Sequence, residues 1–121
     1  MITGIHHVTF LSADLERARA FYEGVLGLHP DPGRPALSYD GVWYDVASNQ
    51  QIHLMAQPNP DAELHRPEHG GRDRHVALEV PDFIELTERL EQAGIAYTSG
   101  LRTLFCRDPD QNALEFVLTP E

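Results

Sequence analysis

The sequence predicts an α+β fold made of two β-α-β-β-β modules, residues 4–57 and 74–119, within a single domain of 121 residues. Two amphipathic helical segments each begin at an aspartate and end at a glycine, and short extended runs follow each of them. The second half also repeats the first strand and helix start of the first half at a constant offset. A polar loop rich in proline and glycine, residues 58–73, separates the modules.

Each predicted helix has a cap and one apolar face. Asp14 precedes the first helix and Gly27 follows it, which are the residue types that begin and end helices. Asp82 opens the second helix, with Glu85 three residues later as in a capping box, and Gly94 closes it. Apolar residues recur at three- and four-residue steps in both segments, so each helix is expected to bury one side.

Short extended runs separated by turn signals predict the strands that follow each helix. In the first half these predicted strands cover residues 36–39, 42–47 and 51–56. In the second half they cover residues 95–98, 101–107 and 113–118.

The internal repeat is visible where each module begins. The segment HVTFL from His7 aligns with HVALE from His75, which lies 68 positions later. At the same offset Asp14 aligns with Asp82, so the strand and the helix cap match without a gap. Agreement over both elements indicates a duplicated unit.

Alternation along four strands separates apolar residues from ionisable ones. In the first and last strand of each module the bulky aliphatic residues share one face, and one ionisable residue points to the other. Those four residues are His7, His53, His75 and Glu115. If the two modules bring these faces together, the side chains form a site for a divalent cation. His6 is interpreted as structural, and Trp43, Tyr44 and Met55 are candidate walls of the cleft.

The composition excludes several classes of function. A net charge of −10 disfavours nucleic acid and anionic membranes as partners, and since all nine basic residues are arginine there is no lysine for Schiff-base chemistry. No apolar run reaches the roughly 18 residues of a membrane helix, and the N-terminus lacks a secretory leader pattern. Cys106 is the single cysteine, which rules out an intrachain disulfide. The expected location is therefore the cytoplasm.

Three segments resemble the vicinal oxygen chelate superfamily, which includes glyoxalase I, extradiol dioxygenases, methylmalonyl-CoA epimerase, and the fosfomycin- and bleomycin-resistance proteins. They are GIHHVTFLSADLERARAFYEGVLGL, RHVALEV and CRDPDQNALEFV. The resemblance covers nearly the whole chain and implies paired βαβββ modules that form a cupped mixed sheet around a metal cleft, commonly in a homodimer. Gln111 departs from the pattern because the family usually has glycine in that turn.

The resemblance also implies a ligand set. The family's metal-binding positions fall on His7, His75 and Glu115, a set that favours Fe(II) or Mn(II), with Ni, Zn and Co as alternatives. His53 stands where glyoxalase-like members have an oxygen ligand. It is predicted either to bind the metal or to act with Glu115 in catalysis as an acid or base.

The function that follows is a metal-dependent enzyme, either a lyase or isomerase or a ring-cleaving dioxygenase. Its small substrate would chelate a divalent metal through adjacent oxygens. The alternatives are an antibiotic-resistance or antibiotic-binding protein of the fosfomycin or bleomycin type, and a non-catalytic domain that keeps the fold alone. The residues leave open the substrate, the metal, and whether the modules pair within one chain or swap between two.

Overall fold

The computed structural model describes residues 1–120, which divide into two compact units, Met1–Pro60 and the chain from Asp61 onward. The seven strands of the described chain are β1 His7–Ser12, β2 Gly41–Ala47, β3 Gln50–Ala56, β4 His75–Val80, β5 Tyr97–Ser99, β6 Thr103–Arg107 and β7 Ala113–Leu118. The helices are α1 Leu15–Arg19, continued by a π-helical segment Ala20–Val25, and α2 Ile84–Gln92, with a short 3₁₀ turn at Gly70–Arg72. No helix within residues 1–120 combines the length and the apolarity needed to cross a membrane.

The first unit is a three-stranded mixed sheet with one helix. Its strand order is β1-β3-β2, in which β1 runs parallel to β3 and β2 runs antiparallel to it. The α1 segment connects β1 to the rest of the sheet, as a parallel pair requires. Buried side chains from the helix and from one sheet face form the core of this unit: Ala18, Phe21, Tyr22, Val42, Tyr44, Ile52 and Leu54.

The first helix begins and ends where the sequence predicts. The side chain of Asp14 accepts a hydrogen bond from the Arg17 amide at 3.1 Å. The helix widens after Arg19, where the Leu26 amide donates to the carbonyl of Phe21, five residues earlier. Gly27 then adopts a positive φ of 73°, a left-handed conformation that glycine reaches without steric cost and that ends the helix.

The predicted strand at residues 36–39 is wrong. These residues form bends and loop, and in the segment between α1 and β2 the contact with the sheet is a bridge between Pro30 and Tyr44. Pro30, Pro32 and Pro35 lack an amide hydrogen, so this stretch cannot supply a continuous ladder. The first unit therefore has the order βαββ, with a loop in place of its second predicted strand.

The second unit is a four-stranded mixed sheet with one helix, and here the predicted β-α-β-β-β order is confirmed. The strand order is β4-β7-β6-β5, with β4 parallel to β7 and the other pairs antiparallel. The predicted strand at 113–118 has the observed bounds, whereas the other two begin two residues later than predicted. Leu90 of the helix and Leu104, Cys106, Leu114 and Phe116 of the sheet are buried.

The second helix differs from the prediction at its start. It begins at Ile84, with Phe83 at the cap position and no side-chain hydrogen bond from that residue. Asp82 accepts instead from the Ile84 amide at 2.9 Å, and Glu85 pairs with Arg89 one turn later rather than returning to a capping box. Gly94 ends the helix with a φ of +70°. The architecture as a whole is the α+β class that the sequence predicts.

Candidate metal centre

One face of the first sheet carries the polar side chains of this unit. The register places Thr9 and Trp43 on either side of His53, and His7 and Asp45 on either side of Gln51. Side chains two residues apart along a strand share a face, so these six residues lie together, opposite the apolar face that packs on the helix. The alternation predicted for β1 and β3 therefore holds.

Three aromatic rings are stacked on this face. The imidazoles of His7 and His53 are 4.0 Å apart between centroids and tilted by 13°. The indole of Trp43 covers the other side of His53 at 4.4 Å, tilted by 7°. His53 is thus held between two rings and is only 8% exposed. The flat stack fixes the plane of the His53 imidazole.

The orientation of Gln51 determines which nitrogen of His53 carries the hydrogen. The Gln51 Nε2 donates to Oδ2 of Asp31 and to Oδ1 of Asp45, both at 2.9 Å, so its amide nitrogen faces the two carboxylates. The Gln51 Oε1 then lies 2.8 Å from Nε2 of His53. Because a carbonyl oxygen only accepts, the His53 Nε2 is the donor and the lone pair of the neutral ring is on Nδ1.

The surroundings of His53 favour its neutral form. Burial, followed by the nearby imidazoles of His7 and His6, lowers the pKa of His53 from 6.5 to about 4. Desolvation penalises the imidazolium, and the Gln51 carbonyl needs only the single N–H that the neutral ring already has. At neutral pH the ring is therefore an uncharged base, as metal coordination requires.

His6, interpreted as structural from the sequence, contacts the predicted ligand His7. Their Nδ1 atoms lie 2.8 Å apart, so one ring donates and the other accepts. If His7 is the donor, its Nε2 carries the lone pair that a metal ion would need. Histidine ligands commonly donate their second N–H to a neighbouring acceptor in this way.

In the second unit a histidine and a carboxylate approach each other directly. The register pairs Glu115 with Ala77 on one side and Phe105 on the other, so Glu115 shares a face with His75. The His75 Nε2 lies 3.0 Å from Oε1 of Glu115, and the two side chains are 26% and 18% exposed. Phe105 packs against the imidazole edge at 5.6 Å between centroids.

A backbone carbonyl determines that the other ring nitrogen of His75 carries hydrogen. Its Nδ1 lies 2.8 Å from the carbonyl oxygen of Asp73, which can only accept. The Nδ1 therefore carries hydrogen, and in a neutral ring the lone pair of Nε2 faces Glu115. A lone pair and a carboxylate oxygen repel each other unless a proton or a cation lies between them.

Two arginines anchor the residue that supplies this carbonyl. The Asp73 Oδ2 lies 2.7 Å from Nη2 of Arg66 and 2.9 Å from Nη1 of Arg107. Arg107 also donates to the carbonyls of Gln111 at 2.7 Å and Pro67 at 2.5 Å. Burial alone would raise the pKa of Asp73, but the Arg107 and Arg66 guanidiniums outweigh it and hold the pKa below its usual value. This clamp ties the loop to β6.

The His75–Glu115 pair fits a divalent cation. Two donors bound to one ion at about 2.1 Å with an angle near 90° lie about 3 Å apart, which matches the observed separation. Imidazole nitrogen and carboxylate oxygen are also the donors that first-row divalent metals accept. Within residues 1–120 no group of three or more His, Cys, Asp or Glu side chains is arranged to hold a metal ion. The pair alone is therefore an incomplete centre.

The four predicted site residues thus fall into two pairs, one in each unit. His7 and His53 are stacked in the first, and His75 and Glu115 are in polar contact in the second. The positions correspond, since His53 pairs with the residue two after His7, and Glu115 pairs with the residue two after His75. Whether all four act as ligands stays a prediction.

Cys106 is part of the core. It is 4% exposed, and burial, with a smaller effect of the Asp108 carboxylate, raises its pKa to about 12. The thiol is therefore protonated at neutral pH and is not a nucleophile.

A cavity of about 420 Å³ lies at the β5 edge of the second unit, where Tyr97, Phe105 and Arg107 contribute to its lining. Its lining residues do not include His75 or Glu115. This cavity is therefore separate from the histidine–carboxylate pair.

Gln51 and the Asp73 carbonyl contribute to these networks and were not predicted. Gln51 lies two residues before His53, so alternation alone could have placed it on the same face. The Asp73 carbonyl has no such signal, because it belongs to a loop without periodicity. Of the predicted cleft walls, Trp43 covers His53, whereas Tyr44 is buried on the opposite face and donates to Glu23 at 2.7 Å.

Comparisons with known proteins agree with this architecture. Residues 4–116 match the family model described as Glyoxalase/Bleomycin resistance protein/Dioxygenase superfamily. The chain is 26% identical to Glyoxylase I 4 of Arabidopsis thaliana, over 94% of this chain and 70% of the relative.

Solved structures are similar over nearly the full length. A Bacillus anthracis protein named after the glyoxalase family superposes with a TM-score of 0.76 at 26% identity, covering 99% of this chain and 98% of that one. A mutant of the fosfomycin resistance protein FosX from Listeria monocytogenes, complexed with Mn(II) and 1S,2S-dihydroxypropylphosphonic acid, has a TM-score of 0.73 at 17% identity, covering 99% and 95%. The second likeness is one of fold.

Proposed function

Because the chain belongs to the Glyoxalase/Bleomycin resistance protein/Dioxygenase superfamily, we propose that it is a metal-dependent enzyme whose small substrate chelates a divalent ion through adjacent oxygens. The observation that carries the proposal is the His75–Glu115 pair, whose donor atoms lie 3.0 Å apart. The His75 Nδ1 bond to the Asp73 carbonyl leaves Nε2 as the atom facing the carboxylate. Such an arrangement needs a cation or a proton between the two groups.

His75 and Glu115 would hold the ion, with His7 as the third predicted ligand. Two imidazoles and one carboxylate favour Fe(II) or Mn(II) and leave coordination positions for substrate, with Ni, Zn and Co as alternatives. When bound, such an ion supplies Lewis acidity that polarises the substrate's adjacent oxygens. Glu115 contributes negative charge, which offsets part of the charge of the ion.

One ring nitrogen of His53 is available for metal binding or for catalysis. Its Nε2 is engaged by Gln51, so Nδ1 is the atom that can bind a metal or accept a proton. A ring whose pKa is about 4 is a weak base at neutral pH, which favours the ligand role over the acid–base role. The stack with Trp43 and His7 keeps the ring plane constant in either case.

A second candidate function is antibiotic resistance or antibiotic binding on the same fold. The likeness to FosX favours it, and the protein in that structure binds Mn(II) and a dihydroxylated phosphonic acid. A homodimer and a cytoplasmic location complete the proposal as predictions.

Metal content and turnover test the proposal together. Protein purified without an affinity tag would be analysed for bound metal, loaded with Fe(II) anaerobically and screened for oxygen uptake, and loaded with Mn(II), Ni(II) or Zn(II) and screened with 2-oxoaldehydes. We expect metal binding that His75→Ala and Glu115→Ala each weaken more than about tenfold, because each removes one of few bonds. Wild-type affinity in both variants would contradict the proposed site. Metal binding without turnover of any oxygenated substrate would favour the antibiotic-binding alternative.

A further inference from the structure

In the second unit a loop segment, residues 66–73, packs directly on the sheet face that carries Glu115, and we call this segment the strap. A Cβ placed on Gly70 would lie 3.2 Å from the Cβ of Ala113 and 3.6 Å from the ring of Phe105, so the strap backbone touches β7 and β6 where only glycine leaves room. Phe105 pairs with Glu115 in the register, and Ala113 is two residues from it on β7, so all three share one face. The strap therefore lies beside the metal pair and within the same unit.

Arg107 fastens the strap to the sheet. Its Nη1 lies 2.9 Å from Oδ2 of Asp73, and its Nη2 donates to the carbonyl of Pro67 at 2.5 Å, so one guanidinium contacts both ends of the strap. It also donates to the carbonyl of Gln111 in the turn between β6 and β7 at 2.7 Å. Arg66 pairs with the same carboxylate but belongs to the strap itself, so it does not tie the strap to a strand. The side chains of Arg107 and Asp73 are only 17% and 8% exposed, so water screens their ion pair little.

The strap ends at the carbonyl that determines which nitrogen of His75 faces Glu115. A neutral imidazole has one hydrogen, which either nitrogen can carry. With the hydrogen on Nδ1, His75 donates to the Asp73 carbonyl at 2.8 Å, and the lone pair of Nε2 faces Oε1 of Glu115 at 3.0 Å, where a cation can bind both. With the hydrogen on Nε2, His75 would donate to Glu115 directly, and a metal ion would have to break that bond. The carbonyl therefore favours the form of His75 that binds metal.

We propose that Arg107 is a positioning residue for the metal pair, because it clamps the strap and thereby keeps the Asp73 carbonyl on Nδ1 of His75. The inference rests on the proposed function, since it concerns the same metal site. The effect passes through Asp73, whose side chain the guanidinium holds and whose carbonyl His75 contacts. Groups that orient a metal ligand in this way commonly contribute tenfold to a hundredfold in metal affinity.

The test measures metal affinity and the His75 hydrogen separately. Zn(II) affinity would be determined by competition with a chromophoric chelator. The nitrogen that carries the hydrogen would be identified by proton–nitrogen NMR on the labelled, metal-free protein. In Arg107→Gln we expect Zn(II) to bind about tenfold or more weakly, and the hydrogen of His75 to move from Nδ1 to Nε2 in a measurable fraction of molecules.

A second variant changes the strap without removing a charge. Gly70→Ala introduces a Cβ that would meet Ala113 and Phe105, so it should lift the strap from the sheet and change both readouts in the same direction. It also tests the proposal if Arg107→Gln does not fold.

Leu90→Ala is the control for stability. Leu90 is fully buried on the helix of this unit, so its truncation destabilises the fold without touching the strap. Its Zn(II) affinity should stay within about twofold of the wild type, and its His75 hydrogen should stay on Nδ1. Urea denaturation would verify that the variants are folded under the conditions of the titration.

Each outcome supports the proposal or overturns it. Weaker Zn(II) binding with a displaced His75 hydrogen in Arg107→Gln, or in Gly70→Ala where Arg107→Gln does not fold, supports it if Leu90→Ala changes neither. Unchanged affinity, or weaker binding with the hydrogen still on Nδ1, would overturn the role of Arg107 and leave the metal site standing. An equal loss of affinity in Leu90→Ala would overturn it as well, since stability alone would then explain the effect. A wild-type protein that does not bind Zn(II) would overturn the proposed function and this inference with it.

Discussion

The two units place their predicted ligands at corresponding positions but give them different chemistry. In the first, His53 meets a second imidazole and an indole in a stack. In the second, the corresponding Glu115 meets one imidazole and supplies a negative charge. A divalent cation is attracted by the carboxylate, whereas His53 is uncharged at neutral pH and is held by the side-chain amide of Gln51. We therefore expect the second unit to contribute more to metal binding and the first to supply neutral donors.

The loops that support the two pairs of predicted ligands also differ in the charge of the groups that hold them. Asp73 is 8% exposed at its side chain and is held by Arg66 and Arg107, so its network is ionic. Asp31 accepts from the Gln51 amide and the Gly33 backbone, so its network consists of hydrogen bonds between one carboxylate and neutral groups. Removing the charge from each aspartate should therefore lower the free energy of unfolding by different amounts.

The largest expected effect is that of Asp73→Asn. It leaves two largely buried guanidiniums without their shared carboxylate, and we expect the free energy of unfolding to fall by about 3 kcal/mol or more. Asp31→Asn is the matched change in the first unit and should cost about 1 kcal/mol, because only bonds to neutral groups are weakened. Urea denaturation of both variants would measure the difference. Equal losses would show that the clamp at Asp73 is no stronger than the hydrogen bonds at Asp31.

Lowering the pH should reduce the stability of the first unit, because the pKa of His53 is lower in the folded protein than in the unfolded chain. Its pKa of about 4 in the folded protein lies below the 6.5 of the unfolded chain, so the unfolded state binds more protons between these values. The corresponding stability is fully present above pH 6.5 and is lost as the pH falls toward 4, by up to roughly 3 kcal/mol.

The fluorescence of Trp43, the single tryptophan, reports on this stack directly. Urea titrations at pH 7 and pH 4.5, carried out on the metal-free protein, would measure the loss. His53→Gln should reduce it, because the variant lacks the titrating ring. A loss of the same size in His53→Gln would assign the acid sensitivity to other groups.

The smallest expected effect concerns the turn between β6 and β7. Gln111 adopts a φ of 69°, a left-handed conformation that costs a residue with a side chain about 1 kcal/mol. Gln111→Gly should therefore raise the free energy of unfolding by up to about 1 kcal/mol, reduced by the greater entropy of glycine in the unfolded chain. Thermal unfolding would measure this gain. Gly94→Ala is the inverse control, since Gly94 has a φ of +70° and the substitution should lower the free energy of unfolding.

Local sequence patterns predicted the faces of the strands and the ends of the helices. The alternation in β1, β3, β4 and β7 predicted that four residues lie on the polar faces of their sheets: His7, His53, His75 and Glu115. The register of such strands is well determined, since a shift by one residue would move every side chain to the other face. The helix ends at Gly27 and Gly94 followed from the conformations that glycine allows. These signals are local and depend on residue type.

What the sequence did not predict depends on loops and backbone atoms. The strand expected at residues 36–39 is absent because prolines interrupt the preceding segment. The Asp73 carbonyl that orients His75 carries no side-chain signal at all. The orientation of Gln51, which determines the tautomer of His53, depends on two carboxylates that are distant from each other in sequence.

The most direct test of the His75–Glu115 metal pair is the nitrogen chemical shifts of His75, observed by proton–nitrogen NMR on the labelled protein. The account predicts that Nδ1 carries hydrogen because of the Asp73 carbonyl and that the Nε2 resonance shifts on addition of one equivalent of Zn(II). The same addition to Glu115→Gln should leave the Nε2 resonance unchanged at equal metal concentration, because the site has lost its charged ligand. A His75 protonated at both nitrogens, with no change on adding Zn(II), would contradict the account and make the pair a salt bridge.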